Sequence, residues 1–155
     1  VPSAKRILGI DFGTKRIGIA VSDPLGIIAR GVKVIENSPS AMDEIKRVIA
    51  EYEPGKIIVG MPLNLKGEKG MAAERVELFI KTLSGLSGLE IIRRDERFTS
   101  TIAQRTLRDM NVKKKKRRSK GDIDIMSAAL ILQSYLDETP VQNREDIPDA
   151  GGGSL

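Results

Sequence analysis

Hydrophobic positions along the chain follow two rhythms. Up to residue 35 they come in short runs separated by turn residues, and from residue 42 helical spacing alternates with further short runs. Ile7 to Asp11 is apolar until its last residue and predicts a buried strand. Gly13-Thr14-Lys15-Arg16 predicts a turn, and Ile17 to Ser22 a returning strand, which together make a hairpin. Asp23-Pro24-Leu25-Gly26 is a second turn signal. Ile27 to Ile35 then reads as a third strand, with Val32 and Val34 at alternating positions.

Ser38-Pro39 predicts a helix N-cap with proline at the first helical position. Met42, Ile45, Val48, Ile49 and Tyr52 follow on one face, and Pro54-Gly55 ends the helix. Residues 56 to 62 predict a buried strand, followed by a Gly-rich loop that lacks the Gly-Lys-Ser/Thr ending of a P-loop. A second helix is expected from Ala72 to Leu83, and a fifth strand within residues 89 to 97. Thr99, Ser100 or Thr101 caps a third helix carrying Ala103, Leu107 and Met110. A fourth helix runs from near Asp122 to Asp137, apolar almost all round and therefore well buried. The order βββ-α-β-α-β-α-α predicts an α/β fold: a five-stranded mixed sheet, an antiparallel meander plus βα units, with helices on both faces. The ribonuclease-H-like fold uses that order. Residues 1–138 are read as one domain, and residues 139–155 as an acidic, Gly-rich tail expected to be disordered.

Composition narrows the chemistry. With no cysteine and no histidine, the chain has no disulfide, no Cys/His zinc site, and no triad or general base built on histidine. Its chemistry must come from carboxylates, Lys, Arg, Ser, Thr, Tyr, or a hard metal ion held by oxygen. No apolar run approaches the ~20 residues that span a bilayer. The short run behind Lys5 and Arg6 does not make a signal peptide, so no membrane is expected and the chain is read as cytoplasmic.

The net charge of +5 is unevenly spread. Residues 137 to 155 carry five acids against Arg144, so the remainder carries +9. A basic body points to a polyanion, most simply nucleic acid; a surface rich in ion pairs would raise Lys and Glu as well. Lys113, Lys114, Lys115, Lys116, Arg117 and Arg118 form an unbroken basic run directly before the last helix. Such a run is a solvated loop, a nuclear-localisation signal or a phosphate clamp, and its place directly before the Asp124 helix favours the clamp. With three Phe, two Tyr and no Trp, recognition should go through backbone and shape rather than base stacking.

Carboxylates stand at element ends: Asp11 after the first strand, Asp95 and Glu96 after the fifth, Asp122 and Asp124 opening the last helix. A buried unpaired carboxylate is costly, and Asp11 follows apolar residues, so it needs local donors or a cation. Asp124 shares a helical face with the apolar Ala128, Ile131 and Tyr135. Asp122 also fits a plain N-cap, and Asp95 a partner for Arg93 or Arg97. Adjacent strand residues face opposite ways, which separates Asp95 from Glu96. Acids converging at strand ends would bind one or two Mg²⁺ ions, and two such ions ~4 Å apart support phosphodiester cleavage.

The blocks "GIDFGTKRIGIAVSD" (9–23), "VGMPLNLKG" (59–67), "DERFTS" (95–100) and "DIMSAALILQSYL" (124–136) occur in this order. Together they resemble the YqgF family, described both as pre-16S ribosomal RNA nucleases and as Holliday-junction-resolvase-like, over roughly residues 5 to 138. The resemblance implies a ribonuclease-H-like fold and metal-dependent nuclease chemistry in the bacterial cytoplasm. It implies Asp11, Glu96 and Asp124 as catalytic metal ligands for Mg²⁺, with Mn²⁺ as substitute. It also implies Lys15, Arg16 and Arg97 as phosphate contacts. The related resolvases carry two acids at i and i+3 of the last helix. Here Asp122 and Asp124 are two apart and position 127 is Ser, which leaves a fourth ligand open.

The leading function is processing of the 5′ end of 16S ribosomal RNA precursor, with the ribosome as a further partner. Cutting of four-way DNA junctions uses the same chemistry but needs two sites on a two-fold axis, so a monomer favours RNA and a homodimer the junction. A nucleic-acid-binding module without catalysis would keep the basic run and ignore Mg²⁺. "IDFGT" also resembles the phosphate loop of actin-like ATPases, which need two such domains.

Overall fold

The computed structural model describes residues 5–64, 66–96 and 120–139, with the side chains of 120–124 outside that description. The strands are β1 (Ile7–Phe12), β2 (Arg16–Ser22), β3 (Ala29–Glu36), β4 (Lys56–Met61) and β5 (Glu90–Asp95). The helices are α1 (Ala41–Tyr52), α2 (Met71–Ser87) and α3 (Lys120–Glu138). The helix expected at residues 99–110, the basic run and the acidic tail lie outside the described residues.

The strands form one mixed sheet in the order β3-β2-β1-β4-β5. β1, β2 and β3 are antiparallel neighbours, while β4 and β5 run parallel to β1. The C-terminal ends of β1, β4 and β5 therefore share one edge, together with the turn into β2.

Alternation of side chains distributes the core between the two faces. Leu8, Ile10, Ile57 and Val59 join Ile45, Val48, Phe79 and Leu83 of α1 and α2. Ile7, Ala20 and Ile58 join Ala128, Ile131, Leu132 and Leu136 of α3. Burying these side chains contributes about 1.5–3 kcal/mol for each large one.

α3 lies in a trough that bare strand positions create. A Cβ on Gly9 would stand 2.7 Å from Leu132 Cβ, and one on Gly31 would overlap the Ile125 side chain. The C-terminal half of α3 meets the sheet edge opposite the strand ends named above. There Gln133 bonds Ala29, at the start of β3, and Tyr135 meets Lys56, at the start of β4. The helix therefore points its N-terminal end toward the edge that carries Asp11 and Glu96.

Two element starts differ from the sequence expectation. α1 begins at Ala41 rather than behind Ser38, because the Ser38 hydroxyl accepts the Ser40 amide at 3.3 Å and closes a turn before the helix. β3 begins at Ala29 rather than Ile27, because Asp23 Oδ1 accepts the Ile27 and Ile28 amides at 2.7 and 2.9 Å. Burial opposes ionisation of Asp23, but those backbone donors outweigh it and hold the carboxyl below its usual range.

Candidate active site

Asp11 is the fifth residue of β1 and half-buried. It shares strand parity with Ile7 and Gly9, both of which face α3. Glu96 follows β5 directly, and its carboxylate reaches the same face, beside Gly60 and Ile131. Asp95 has the opposite parity. Its neighbour two residues back, Arg93, grips Glu77 of α2 on the other face. The sheet thus brings Asp11 and Glu96 to one side and separates Asp95 from Glu96, as alternation requires. Asp124 lies on the first turns of α3, and its side chain, like that of Asp122, is outside the described residues.

The electrostatics follow from this crowding. Burial pushes the Glu96 carboxyl up to about 7, and the negative charges of Asp11 and Asp95 add to the effect. A carboxylate held among carboxylates favours whatever positive charge can be supplied, a proton or a cation.

The turn beside Asp11 is tightly built. The Gly13 amide donates to the Arg16 carbonyl at 2.9 Å, and a Cβ on Gly13 would stand 2.6 Å from that oxygen. Asn37, just past β3, clamps the turn from outside, donating Nδ2 to the Gly13 carbonyl at 2.8 Å and its amide to the Lys15 carbonyl at 2.9 Å. Lys15 is exposed at the tip, and Arg16 is half-buried at the start of β2. Both stand at the carboxylate edge. Arg97 and the run Lys113, Lys114, Lys115, Lys116, Arg117 and Arg118 lie outside the described residues.

On the same edge, the loop after β4 folds on Asn64. Its Oδ1 accepts the Lys66 and Glu68 amides at 2.8 Å each, and an isolated bridge joins Leu63 to Lys69. The expected Gly-rich connection is therefore a small braced hairpin. Three residues that shape this edge, Asn37, Asn64 and Gly60, are not among the candidates that the sequence singles out. Only Gly60 left a sequence signal, since a glycine inside a strand marks close approach of another group.

A divalent cation fits what is described of the site. The available donors are carboxylate oxygens, which suit Mg²⁺. Glu96 sits in a cradle that a Cβ on Gly60 would fill, 2.7 Å from Oε2. Among the described residues no group of three Asp, Glu, His or Cys comes together. Asp122 and Asp124 both stand on the helix that points toward this edge.

A profile of the family described as "RuvX: Holliday junction resolvase" matches residues 5–138. A protein of Ruminiclostridium cellulolyticum named "Putative pre-16S rRNA nuclease" is 46% identical over 135 residues, 85% of this chain and 94% of that one. A Listeria innocua protein of the same name is 42% identical over 138 residues, 86% of this chain and 99% of that one. Among solved structures, Thermus thermophilus RuvC in complex with Holliday junction substrate aligns with a TM-score of 0.58 at 15% identity, covering 88% of this chain and 97% of that one. The yeast mitochondrial Holliday junction resolvase aligns with a TM-score of 0.55 at 13% identity, covering 95% of this chain and 86% of that one. At such identities the structural likeness concerns the fold alone, which is ribonuclease-H-like. The sequence match spans nearly all of the described residues, and by it the chain belongs to the RuvX, or YqgF, family.

Proposed function

We propose that the chain is a divalent-metal-dependent nuclease that hydrolyses phosphodiester bonds and processes the 5′ end of 16S ribosomal RNA precursor in the cytoplasm. The observation that carries this reading is the meeting of Asp11 and Glu96 on the α3 face of one sheet edge, with Glu96 pushed up to about 7 by burial and by its acidic neighbours. The family match and the names of the relatives supply the substrate class.

In this reading Asp11, Glu96 and Asp124 hold Mg²⁺, with Mn²⁺ as substitute. A cation held there would supply a lowered pKa for water and charge stabilisation on the phosphate. The protein's own residues do the rest. Lys15 and Arg16 bring the phosphate backbone against the turn that Asn37 fixes. Arg97 and the run from Lys113 to Arg118 neutralise neighbouring phosphates, which makes affinity fall steeply with salt. The acting species is a monomer or weak homodimer, and the ribosome presents the precursor.

One gel tests this. Wild type and Asp11→Asn are incubated with Mg²⁺ or Mn²⁺ and either an RNA spanning the precursor 5′ end or a synthetic four-way DNA junction. The expected result is metal-dependent cleavage of the RNA by wild type alone. Paired symmetric nicks in the junction, with the RNA intact, would replace the proposal with junction resolution. Cleavage that survives Asp11→Asn would remove Asp11 from the site. Salt-dependent binding without cleavage would leave a binding module.

A further inference from the structure

Gly60 lies between the two carboxylates. β4 separates β1 from β5 in the sheet. Neighbouring strands are about 4.8 Å apart, so β1 and β5 stand about 10 Å from each other. Asp11 and Glu96 can approach one cation only across the surface of β4. Ile10 pairs with Val59, and Gly60 pairs with Arg94, so the residue of β4 level with Asp11 is Gly60.

A methyl group there has no room. It would stand 2.7 Å from Glu96 Oε2, 3.1 Å from Glu96 Cγ and 2.5 Å from Ile131 Cδ1. The other trough glycines differ in kind. Gly9 meets Leu132 and Ala128, and Gly31 meets Ile125, all on α3. Among the described residues, only at Gly60 does a carboxylate share the space.

We propose that Gly60 is a positioning residue for Glu96. Its bare Cα is the floor on which the carboxylate rests as it reaches toward Asp11. A side chain at this position would lift Glu96 away from the sheet and weaken divalent-cation binding, without itself touching the cation or the substrate. This inference rests on the metal reading above.

Ile131 must be separated from Glu96 in any test, because Gly60→Ala crowds both. Ile131→Val removes Cδ1, so the conflict that remains in Gly60→Ala/Ile131→Val is with Glu96. Calorimetric titration with Mn²⁺, alongside thermal melts, is made on wild type, Ile131→Val, Gly9→Ala and the double variant. Ile131→Val and Gly9→Ala should lose stability but keep wild-type Mn²⁺ affinity. The double variant should stay folded and bind Mn²⁺ at least tenfold more weakly. Adding Gly60→Ala to Glu96→Gln/Ile131→Val should weaken Mn²⁺ binding no further, since the group it displaces is already disabled. Wild-type affinity in the folded double variant would overturn the proposal. If the double variant does not fold, the comparison moves to Gly60→Ala/Ile131→Ala against Ile131→Ala, and equal Mn²⁺ affinity in those two would overturn the proposal as well. If wild type itself bound no Mn²⁺, the metal reading would fall and take this one with it.

Discussion

Gln133 and Ala29 are 104 positions apart in the sequence and joined by a 2.8 Å hydrogen bond from the Ala29 amide to Gln133 Oε1. The same side chain donates Nε2 to the Ile27 carbonyl and to Asp137 Oδ1, at 3.0 Å each. Gln133 is 1% exposed, so nothing in water can replace these partners. Gln133→Leu should therefore cost about 2–4 kcal/mol, because it strands buried polar groups rather than trading one bond for another. Urea denaturation measures it. A loss below about 0.5 kcal/mol, the scale of an ordinary surface change, would mean that the β2–β3 turn does not depend on α3.

Glu96 should make the metal-free protein lose stability as pH rises. Its folded-state carboxyl is raised from 4.5 to about 7, so between those values the folded state keeps a proton that the unfolded chain has released. Stability then falls by up to about 1.4 kcal/mol per pH unit across that window. Denaturant melts at pH 5 and pH 8 should show this slope in wild type and its absence in Glu96→Gln. Saturating Mg²⁺ should flatten it in wild type. Equal slopes in wild type and Glu96→Gln would show that Glu96 titrates normally.

The fork between Arg93 and Glu77 acts in the opposite sense. Arg93 donates Nε and Nη2 to both carboxylate oxygens at 2.7–3.0 Å, and Lys69 adds a contact at 2.9 Å. These hydrogen bonds, with Arg93 first, hold the Glu77 carboxyl down at about 2. The stabilisation is complete above pH 4.5 and is lost as pH falls toward 2. Arg93 and Lys69 are about half exposed, so screening limits the contribution to about 1 kcal/mol. Carboxyl NMR titration should find Glu77 climbing back toward 4.5 in Arg93→Gln, while salt weakens the pair in wild type.

Glu53 closes α1 at φ 48°, with its amide bonded to the Ile49 carbonyl at 2.8 Å. A left-handed backbone suits glycine and strains a residue with a Cβ. Glu53→Gly should raise stability by about 1 kcal/mol, and the thermal midpoint by several degrees. Glu53 stands just before β4 begins, at the sheet edge opposite the one that carries Asp11, so nuclease activity should be unchanged. A lower midpoint would mean that the Glu53 side chain contributes more than its backbone costs.

The sheet and its two faces were legible because their signals are local. Apolar runs, turn residues and the change from strand to helical spacing lie within a few residues of one another, and alternation alone separates Asp95 from Glu96. Asp11 stood out because a carboxylate after Ile7, Leu8 and Ile10 has no cheap explanation. What escaped was set by distant partners. Gly60, a glycine inside an apolar strand, signals a close approach, but what approaches is legible only once Ile131 and Glu96 are seen above it. Gln133 looks like an interruption of an apolar helix until its backbone partners across the sheet appear. The misplaced starts of α1 and β3 have a nearer cause: Ser38 and Asp23 spend their side chains on backbone amides that the element itself would otherwise have used.

The trough beneath α3 also bears on the order of events during synthesis. The meander from β1 to β3 pairs neighbours in the chain and can form early, whereas α3 must close over it from about a hundred positions downstream. In the proposed site Asp11 comes from β1 and Asp124 from α3, which is made after every strand of the sheet. A nascent or truncated chain would then carry the basic surface and bind RNA without the means to cut it. Cleavage would begin only when α3 settles into the glycine-lined groove, so that closure of the fold itself arms the nuclease.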